Sequence, residues 1–124
     1  MKIKDKEFQI LLHGVKYHCA MDVTLSFIGG KWKTVVLWYL RKDKKRFTEI
    51  SKLIPQITER MLSIVLKQLE NDGVILREVY STKPPLKVEY SLTTFGKTLI
   101  PVLDAVAKWG RNVAETKGEI IETK

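Results

Sequence analysis

The stretch RFTEISKLIPQITERMLSIVLKQLENDGVI, residues 46–75, carries two short apolar patterns of helical period separated by a proline. In the first pattern, Thr48 or the residue before it is expected to cap a helix that Pro55 ends. A connection of three or four residues then leads to Thr58, whose hydroxyl makes it a good N-cap for a second helix. Two short helices joined by so tight a turn predict a helix-turn-helix unit.

The second helix, predicted from 59 to 71 with Gly73 as its stop, has two distinct faces. Its buried stripe is predicted to contain Leu62, Val65, Leu66 and Leu69. The opposite face carries Arg60, Ser63, Ile64 and Lys67. A guanidinium and a hydroxyl can bond base edges or phosphates, isoleucine can pack on a thymine methyl, and lysine can contact phosphate. This face, with Thr58, is predicted to contact DNA in the major groove, and the alternative is an ordinary solvated face.

After this helix, residues 74–81 and 87–93 alternate as β-strands do, and the short polar segment TKPPLK lies between them. Two prolines in that segment exclude helix and stiffen the tip. A hairpin that directly follows a recognition-type helix is typical of a wing. Lys83 and Lys87, in the predicted tip 82–88, are expected to reach phosphates or the minor groove. The alternative is a surface hairpin with incidental lysines.

The positive charge is concentrated before the helix-turn-helix. The chain has a formal net charge of +8, and residues 31–52 hold eight cations against two anions. Such a concentration can attract a polyanion, although a basic run can also be a solvated face. Lys31 and Lys33 lie at the start of a predicted helix 31–40 and are included among the DNA contacts. The stripe predicted to face the core in that helix is Trp32, Val35, Val36 and Tyr39. Leu37, Trp38 and Leu40 broaden this stripe, so the helix is expected to be buried on most sides.

A last helix is predicted from Thr93, with Pro101 as a kink or a break between two helices. Its apolar stripe is wider than a small domain needs for itself, which favours a homodimer interface. The residues assigned to that interface are Leu99, Val102, Leu103, Val106 and Trp109.

At 124 residues the chain is predicted to be one domain. It divides into an N-terminal arm 1–18, of helix or strand, a core 22–92 and a C-terminal part 93–124. No apolar run is long enough to span a membrane, and no signal peptide is recognisable. Cys19 is the single cysteine, which excludes an intrachain disulfide and fits the cytoplasm. No metal and no cofactor are expected.

Several motifs together resemble the HxlR-type winged-helix transcription regulators, a bacterial group related to MarR-like proteins. The matching segments occur in order over about 19–110: Cys19, IGGKW (28–32), KRFTEI (45–50), ITERMLSIVLKQLENDGVI (57–75), PPLKVEYSLTTFG (84–96) and LIPVLDAVAKWG (99–110). The resemblance implies an α+β, mostly helical fold. It would be a winged helix-turn-helix with a two- or three-stranded wing and additional N- and C-terminal dimerisation helices. It also implies a homodimer on double-stranded operator DNA.

In this family a cysteine at the Cys19 position senses oxidants or electrophiles in some members, so an oxidant or a small-molecule effector is a possible partner. The chemistry leaves a second interpretation, in which Cys19 is a small buried hydrophobe. Two other function classes compete with DNA binding. One is a winged-helix module that binds protein. The other is an enzyme with Cys19 and His18 as nucleophile and base, which lacks an orienting group and is disfavoured.

Overall fold

The computed structural model of the chain describes residues 2–81 and 83–123. Its elements in chain order are β1 Lys2–Ile3, β2 Lys6–Glu7, β3 Ile10–Leu12, β4 Val15–Tyr17, α1 Ala20–Ile28, α2 Lys31–Leu40, α3 Phe47–Leu53, α4 Glu59–Asn71, β5 Ile75–Ser81, β6 Lys87–Leu92, α5 Thr94–Lys97 and α6 Ile100–Lys117. Helices dominate, and the strands form three separate antiparallel pairs. The predicted fold, a mostly helical α+β winged helix-turn-helix, is confirmed.

Helix α2 is the centre of the core, because α1, α3, α4, α6 and β6 all pack against it. The fully buried residues of α2 are Val36, Leu37 and Leu40. The predicted stripe does face the core: Val36 is fully buried, and Trp32, Val35 and Tyr39 are half-buried against the core. Leu37 and Leu40, outside that stripe, are also buried, as expected for a helix that is covered from several sides.

Helices α3 and α4 form the predicted helix-turn-helix, with one correction at the start of α3. Its N-cap is Arg46 rather than Thr48 or Phe47, and the Arg46 N–H donates to Glu49 Oε1 over 2.9 Å. Helix α4 begins as predicted, because Thr58 Oγ1 accepts a bond of 3.1 Å from the Met61 N–H. Its stripe of Leu62, Val65, Leu66 and Leu69 is buried as predicted.

The wing is the hairpin of β5 and β6. Its base is the buried pair of Ile75 and Leu92, and Ser81 pairs with Lys87 next to the tip, beyond a register shift after Val79. A third chain segment joins at one residue only. Lys45 and Tyr90 exchange two backbone bonds of 2.9 and 2.8 Å. The wing therefore has two strands and a single bridging residue, and Thr82 of the predicted tip lies outside the described residues.

The described part of the N-terminal arm folds as two short hairpins, β1–β2 and β3–β4. The sequence analysis had left open whether the arm is helix or strand. Each turn needs the left-handed backbone region at both central residues. Lys4 and Asp5 adopt φ of 51° and 62° in the first turn, and His13 and Gly14 adopt 49° and 79° in the second. Such turns match the twist of the strands that they join.

The C-terminal part consists of two helices, so of the two predicted alternatives the break near Pro101 is correct and the kink in one continuous helix is not. Pro101 lies in the first turn of α6, where its missing N–H costs nothing. Thr93 Oγ1 caps α5 by accepting from the Gly96 N–H over 2.9 Å, and it donates to the Gly73 carbonyl over 2.6 Å. Gly96 is pressed against the start of the wing, since an added Cβ would lie 2.0 Å from the Val74 oxygen. Helix α5 thus fixes the junction between α4 and the wing.

Candidate nucleic-acid interface

The outer face of α4 is solvent-exposed and cationic. Arg60, Ser63, Ile64 and Lys67 are all exposed, and Ile64 keeps 41% of its surface in water. Lys67 lies 3.7 Å from Glu70 of the same helix, whereas Arg60 has no ion pair within residues 2–81 and 83–123. The opposite face is held in the core, so this cationic face is presented on a rigid element.

The wing projects a cationic tip away from the core. Only the base of the hairpin is buried, and residues 83–87 are all exposed, including the two predicted contacts Lys83 and Lys87. The tip is shaped by a bond of 3.1 Å from Ser81 Oγ to the Lys83 carbonyl. Leu86 also stands in solvent with 61% of its surface exposed. The tip therefore offers charge and one apolar side chain to a neighbouring molecule.

A contact between the α2–α3 loop and the wing restrains the hairpin. The Lys44 ammonium donates to the Tyr80 hydroxyl over 3.3 Å, lies 5.2 Å from the centre of its ring and is 4.0 Å from Glu89 Oε2. The hydrogen bond to Tyr80 and the charge of Glu89 raise the pKa of Lys44 above its ordinary value. We call this group, Lys44 with Tyr80 and Glu89, the wing brace.

The predicted contacts Lys31 and Lys33 do not join this face. Lys33 Nζ lies 4.0 Å from Asp72, the C-cap of α4, and Lys31 lies over the Trp32 ring at the start of α2. A helix of 13 residues is about 20 Å long, so Lys33 is at the far end of α4 from Thr58. Thr58, Arg60, Ser63, Ile64 and Lys67 are thus brought together, and Lys31 and Lys33 form a separate group.

The basic segment 31–52 is largely engaged within the molecule. The Arg41 guanidinium stacks 3.4 Å from the centre of the Trp38 ring and donates to the Trp38 carbonyl over 2.7 Å. Lys45 pairs with Asp43. Its net charge still contributes to the long-range field.

A concave notch between α4 and the wing was missed in the sequence. It has a volume of about 230 Å³ and is lined by Ser63, Leu66, Lys67, Glu70, Arg77 and Tyr90. Arg77 and Tyr90 are direct partners across the two strands of the wing. Arg77 comes next to the outer face of α4 because β5 packs against that helix, and no local sequence signal specifies this packing.

Cys19 is the N-cap of α1, in extended backbone, and its thiol makes no capping hydrogen bond. The residue is half-buried and does not belong to the hydrophobic core. Beside it, the His18 N–H donates to Asp22 Oδ2 over 3.0 Å. The interpretation of Cys19 as a small buried hydrophobe does not fit the single chain, in which the residue is only half-buried.

The predicted dimer residues fall into three classes of exposure. Leu103 is only 1% exposed in the single chain, so it belongs to the core and its assignment to an interface is corrected. Leu99 and Val102 are half-buried against that core. Val106 and Trp109 keep 48% and 72% of their surface in water. Other exposed apolar side chains that the sequence analysis did not assign are Met21 and Leu25 of α1 and Phe95 of α5.

The described ranges 2–81 and 83–123 show neither a membrane-spanning helix nor a cluster of metal ligands. None of the helices in them is both long and apolar enough to cross a membrane. No group of three or more histidine, cysteine, aspartate or glutamate side chains in them could hold a metal ion.

Comparison with known proteins gives one consistent family. The model of the HxlR-like helix-turn-helix family matches residues 27–118, a range that begins after Cys19. The HTH-type transcriptional regulator YdeP of Bacillus subtilis is 56% identical over 92 residues, which are 74% of this chain and 71% of that protein.

Solved structures agree with this match. The redox regulator HypR in its reduced form superposes with a TM-score of 0.74 at 44% identity, over 78% of this chain and 95% of that one. A protein of Porphyromonas gingivalis assigned to the MarR family of transcriptional regulators gives a TM-score of 0.72 at 32% identity, over 90% and 97% of the two chains. The relatives are regulators rather than enzymes, so the catalytic hypothesis for Cys19 and His18 is set aside. The chain belongs to the HxlR-like helix-turn-helix family of transcriptional regulators.

Proposed function

We propose that this transcriptional regulator binds operator duplex DNA, with sequence preference, as a homodimer. Helix α4 lies in the major groove, and the wing tip, residues 83–88, lies on the backbone or in the minor groove. The observation that carries the proposal is the exposed cationic face of α4, which the buried stripe of the same helix holds rigidly.

The side chains divide into two tasks. Arg60 and Ser63, at the N-terminal half of α4, have the donors that read base edges, and Ile64 beside them suits a thymine methyl. Lys83 and Lys87 at the wing tip are flexible point charges that suit phosphates. Lys31 and Lys33 are left out of the contact set, since Lys33 is held by Asp72 at the other end of α4.

A homodimer fits this arrangement because one helix reads only a few base pairs. The exposed apolar residues of the terminal helices, Val106 and Trp109, provide surface that a second copy would cover. A winged-helix module that binds protein is the competing function. It has no need for exposed cations both on α4 and at the wing tip.

Binding measured as a function of salt concentration tests the proposal. Log affinity for duplex DNA is expected to fall with log salt at ~0.9 per neutralised phosphate, summed over several contacts.

Arg60→Ala and Ser63→Ala are expected to change which site is preferred, by about 1–3 kcal/mol at one position. Lys83→Ala and Lys87→Ala are expected to weaken all sites alike. Lys117→Ala, at the exposed end of α6, removes the same charge and serves as the control.

A flat salt response of the wild type would refute DNA binding. If the wing variants changed the preferred sequence and Arg60→Ala did not, the assignment of base reading to α4 would be wrong.

Cys19 is the second part of the proposal, as the site where an oxidant or electrophile acts on DNA binding. The observations in its favour are a half-buried cysteine at the start of α1 and the similarity to a redox regulator. A lone cysteine reacts by forming a mixed disulfide, an adduct or a bridge to the second subunit. Any of these would add bulk at the start of α1, which packs on α2 and β4.

Operator binding with and without diamide, for wild type and Cys19→Ser, tests this second part. Loss of affinity is expected in the wild type alone, with recovery after a reducing thiol. Equal responses of the two proteins would remove Cys19 from the mechanism.

A further inference from the structure

The notch between α4 and the wing lies where the two proposed DNA-contacting elements meet. Two of its lining residues, Ser63 and Lys67, belong to the outer face of α4, and two others, Arg77 and Tyr90, belong to the wing. With α4 in the major groove and the wing on the backbone, one DNA strand has to pass between them. The notch is therefore next to that strand.

The chemistry of the notch suits a phosphate group. Arg77 is exposed and forms no ion pair with the carboxylates of the described residues, so its guanidinium keeps its donors for a ligand. The Lys67 ammonium adds a second cation, and the hydroxyl of Ser63 can donate a hydrogen bond. A guanidinium presents two parallel N–H donors that match two phosphate oxygens.

One lining group opposes an anion. Glu70 is a carboxylate with 31% of its side chain exposed, and its charge is offset by Lys67 at 3.7 Å. The charge of Lys67 is partly neutralised by Glu70, whereas no carboxylate of the described residues pairs with Arg77. A bound phosphate would therefore interact with the full charge of Arg77. The arrangement therefore predicts that Arg77 contributes more than Lys67 at this position.

Arg77 is also held in place by the backbone. Its cross-strand partner Tyr90 exchanges two hydrogen bonds with Lys45, which ties the middle of the wing to the α2–α3 loop. The volume of about 230 Å³ accommodates a phosphate with bridging waters, each of which takes about 30 Å³ in the liquid. The planar fork of a guanidinium also loses less freedom per hydrogen bond formed than an ammonium on a lysine side chain.

We propose that Arg77, supported by Lys67 and Ser63, holds one backbone phosphate of the operator strand that passes between α4 and the wing. The proposal rests on DNA binding by α4 and the wing. It adds a contact in the middle of the wing, away from its tip, that sets the depth and register of α4 in the groove without reading a base.

Single neutral methylphosphonate substitutions along a bound duplex provide the test, because they alter the DNA and leave the protein intact. The wild type is expected to lose affinity at one phosphate in each half-site facing the notch, and Arg77→Gln is expected to be insensitive at that phosphate. Both proteins should remain sensitive at the phosphates facing Lys83 and Lys87. Arg77→Gln should also weaken every sequence by a similar factor and reduce the salt slope by about one. Arg77→Lys should keep the slope with lower affinity.

Lys117→Gln is the matched control, and its slope and interference pattern should equal those of the wild type. The inference is overturned if Arg77→Gln keeps the wild-type interference pattern. It is also overturned if Arg77→Gln loses affinity at particular base pairs only, because the residue would then read bases. A wild type without salt-dependent binding would instead refute the proposed function itself, and the two failures are therefore distinguishable.

Discussion

Thr58 is the N-cap of α4, the proposed recognition helix, and therefore determines where that helix begins. Its hydroxyl satisfies the Met61 N–H, one of the unpaired donors at the start of α4. Thr58→Ala is expected to lower the free energy of unfolding by about 1 kcal/mol. Thr58→Ser keeps the acceptor and should be close to the wild type. Urea denaturation of the three proteins measures the difference, and equal loss in Ala and Ser variants would contradict the capping role.

Gly96 is a second residue at which the structure requires a particular amino acid, because the backbone of Val74 lies too close to leave room for a side chain. An added Cβ would lie 2.0 Å from the Val74 carbonyl oxygen, which is backbone and cannot move aside without shifting the start of the wing. Gly96→Ala is expected to destabilise the fold by several kcal/mol, whereas Lys97→Ala, at the exposed neighbour, should stay within about 0.5 kcal/mol. Thermal unfolding of both variants checks this. A wild-type melting temperature for Gly96→Ala would mean that α5 does not press on the wing.

Among the elements, the wing brace determines how firmly the hairpin is held. The pKa of Lys44 is raised, so the ammonium stabilises the brace fully below its ordinary pKa of 10.5 and loses this effect as the pH rises through the raised value. Lys44→Met is expected to speed amide hydrogen exchange in β5 and β6 at neutral pH and to leave α4 unchanged. Lys42→Met, at an exposed loop residue, is the control. Unchanged exchange in the wing would show that Lys45 and Tyr90 hold it without the brace.

The elements also differ in how far the sequence could predict them. Helix α4 was predicted with its bounds, because Thr58, Gly73 and the leucine stripe are local signals of a helix. The arm hairpins were not, since three of their four turn residues, Lys4, Asp5 and His13, adopt positive φ without being glycine or asparagine. The notch beside Arg77 and the pairing of Lys33 with Asp72 arise from tertiary packing, which periodicity does not report.

For the whole molecule, solvent exposure separates the residues of α6 that stabilise the fold from those that could contact a second subunit. Leu103→Asp would place a charge in the core and is expected to unfold the protein. Val106→Asp, at a half-exposed position three residues on, is expected to leave the folded monomer intact and to break the proposed dimer. Sedimentation together with circular dichroism distinguishes the outcomes. A folded dimer of the Val106→Asp variant would place the interface elsewhere, with Met21 and Leu25 of α1 the next candidates.

Selection of bound sites from random duplex DNA tests the central claim, sequence-preferring binding by a dimer through α4, most directly. A homodimer with one α4 in each major groove predicts an enriched, two-fold symmetric site. Its half-sites should be centred about 10–10.5 base pairs, or a multiple of one turn, apart. Arg60→Ala should select a site altered at one position in each half, and Lys83→Ala should select the wild-type site with weaker binding. Enrichment of no sequence by the wild type, with binding equal to that of bulk duplex, would contradict the claim.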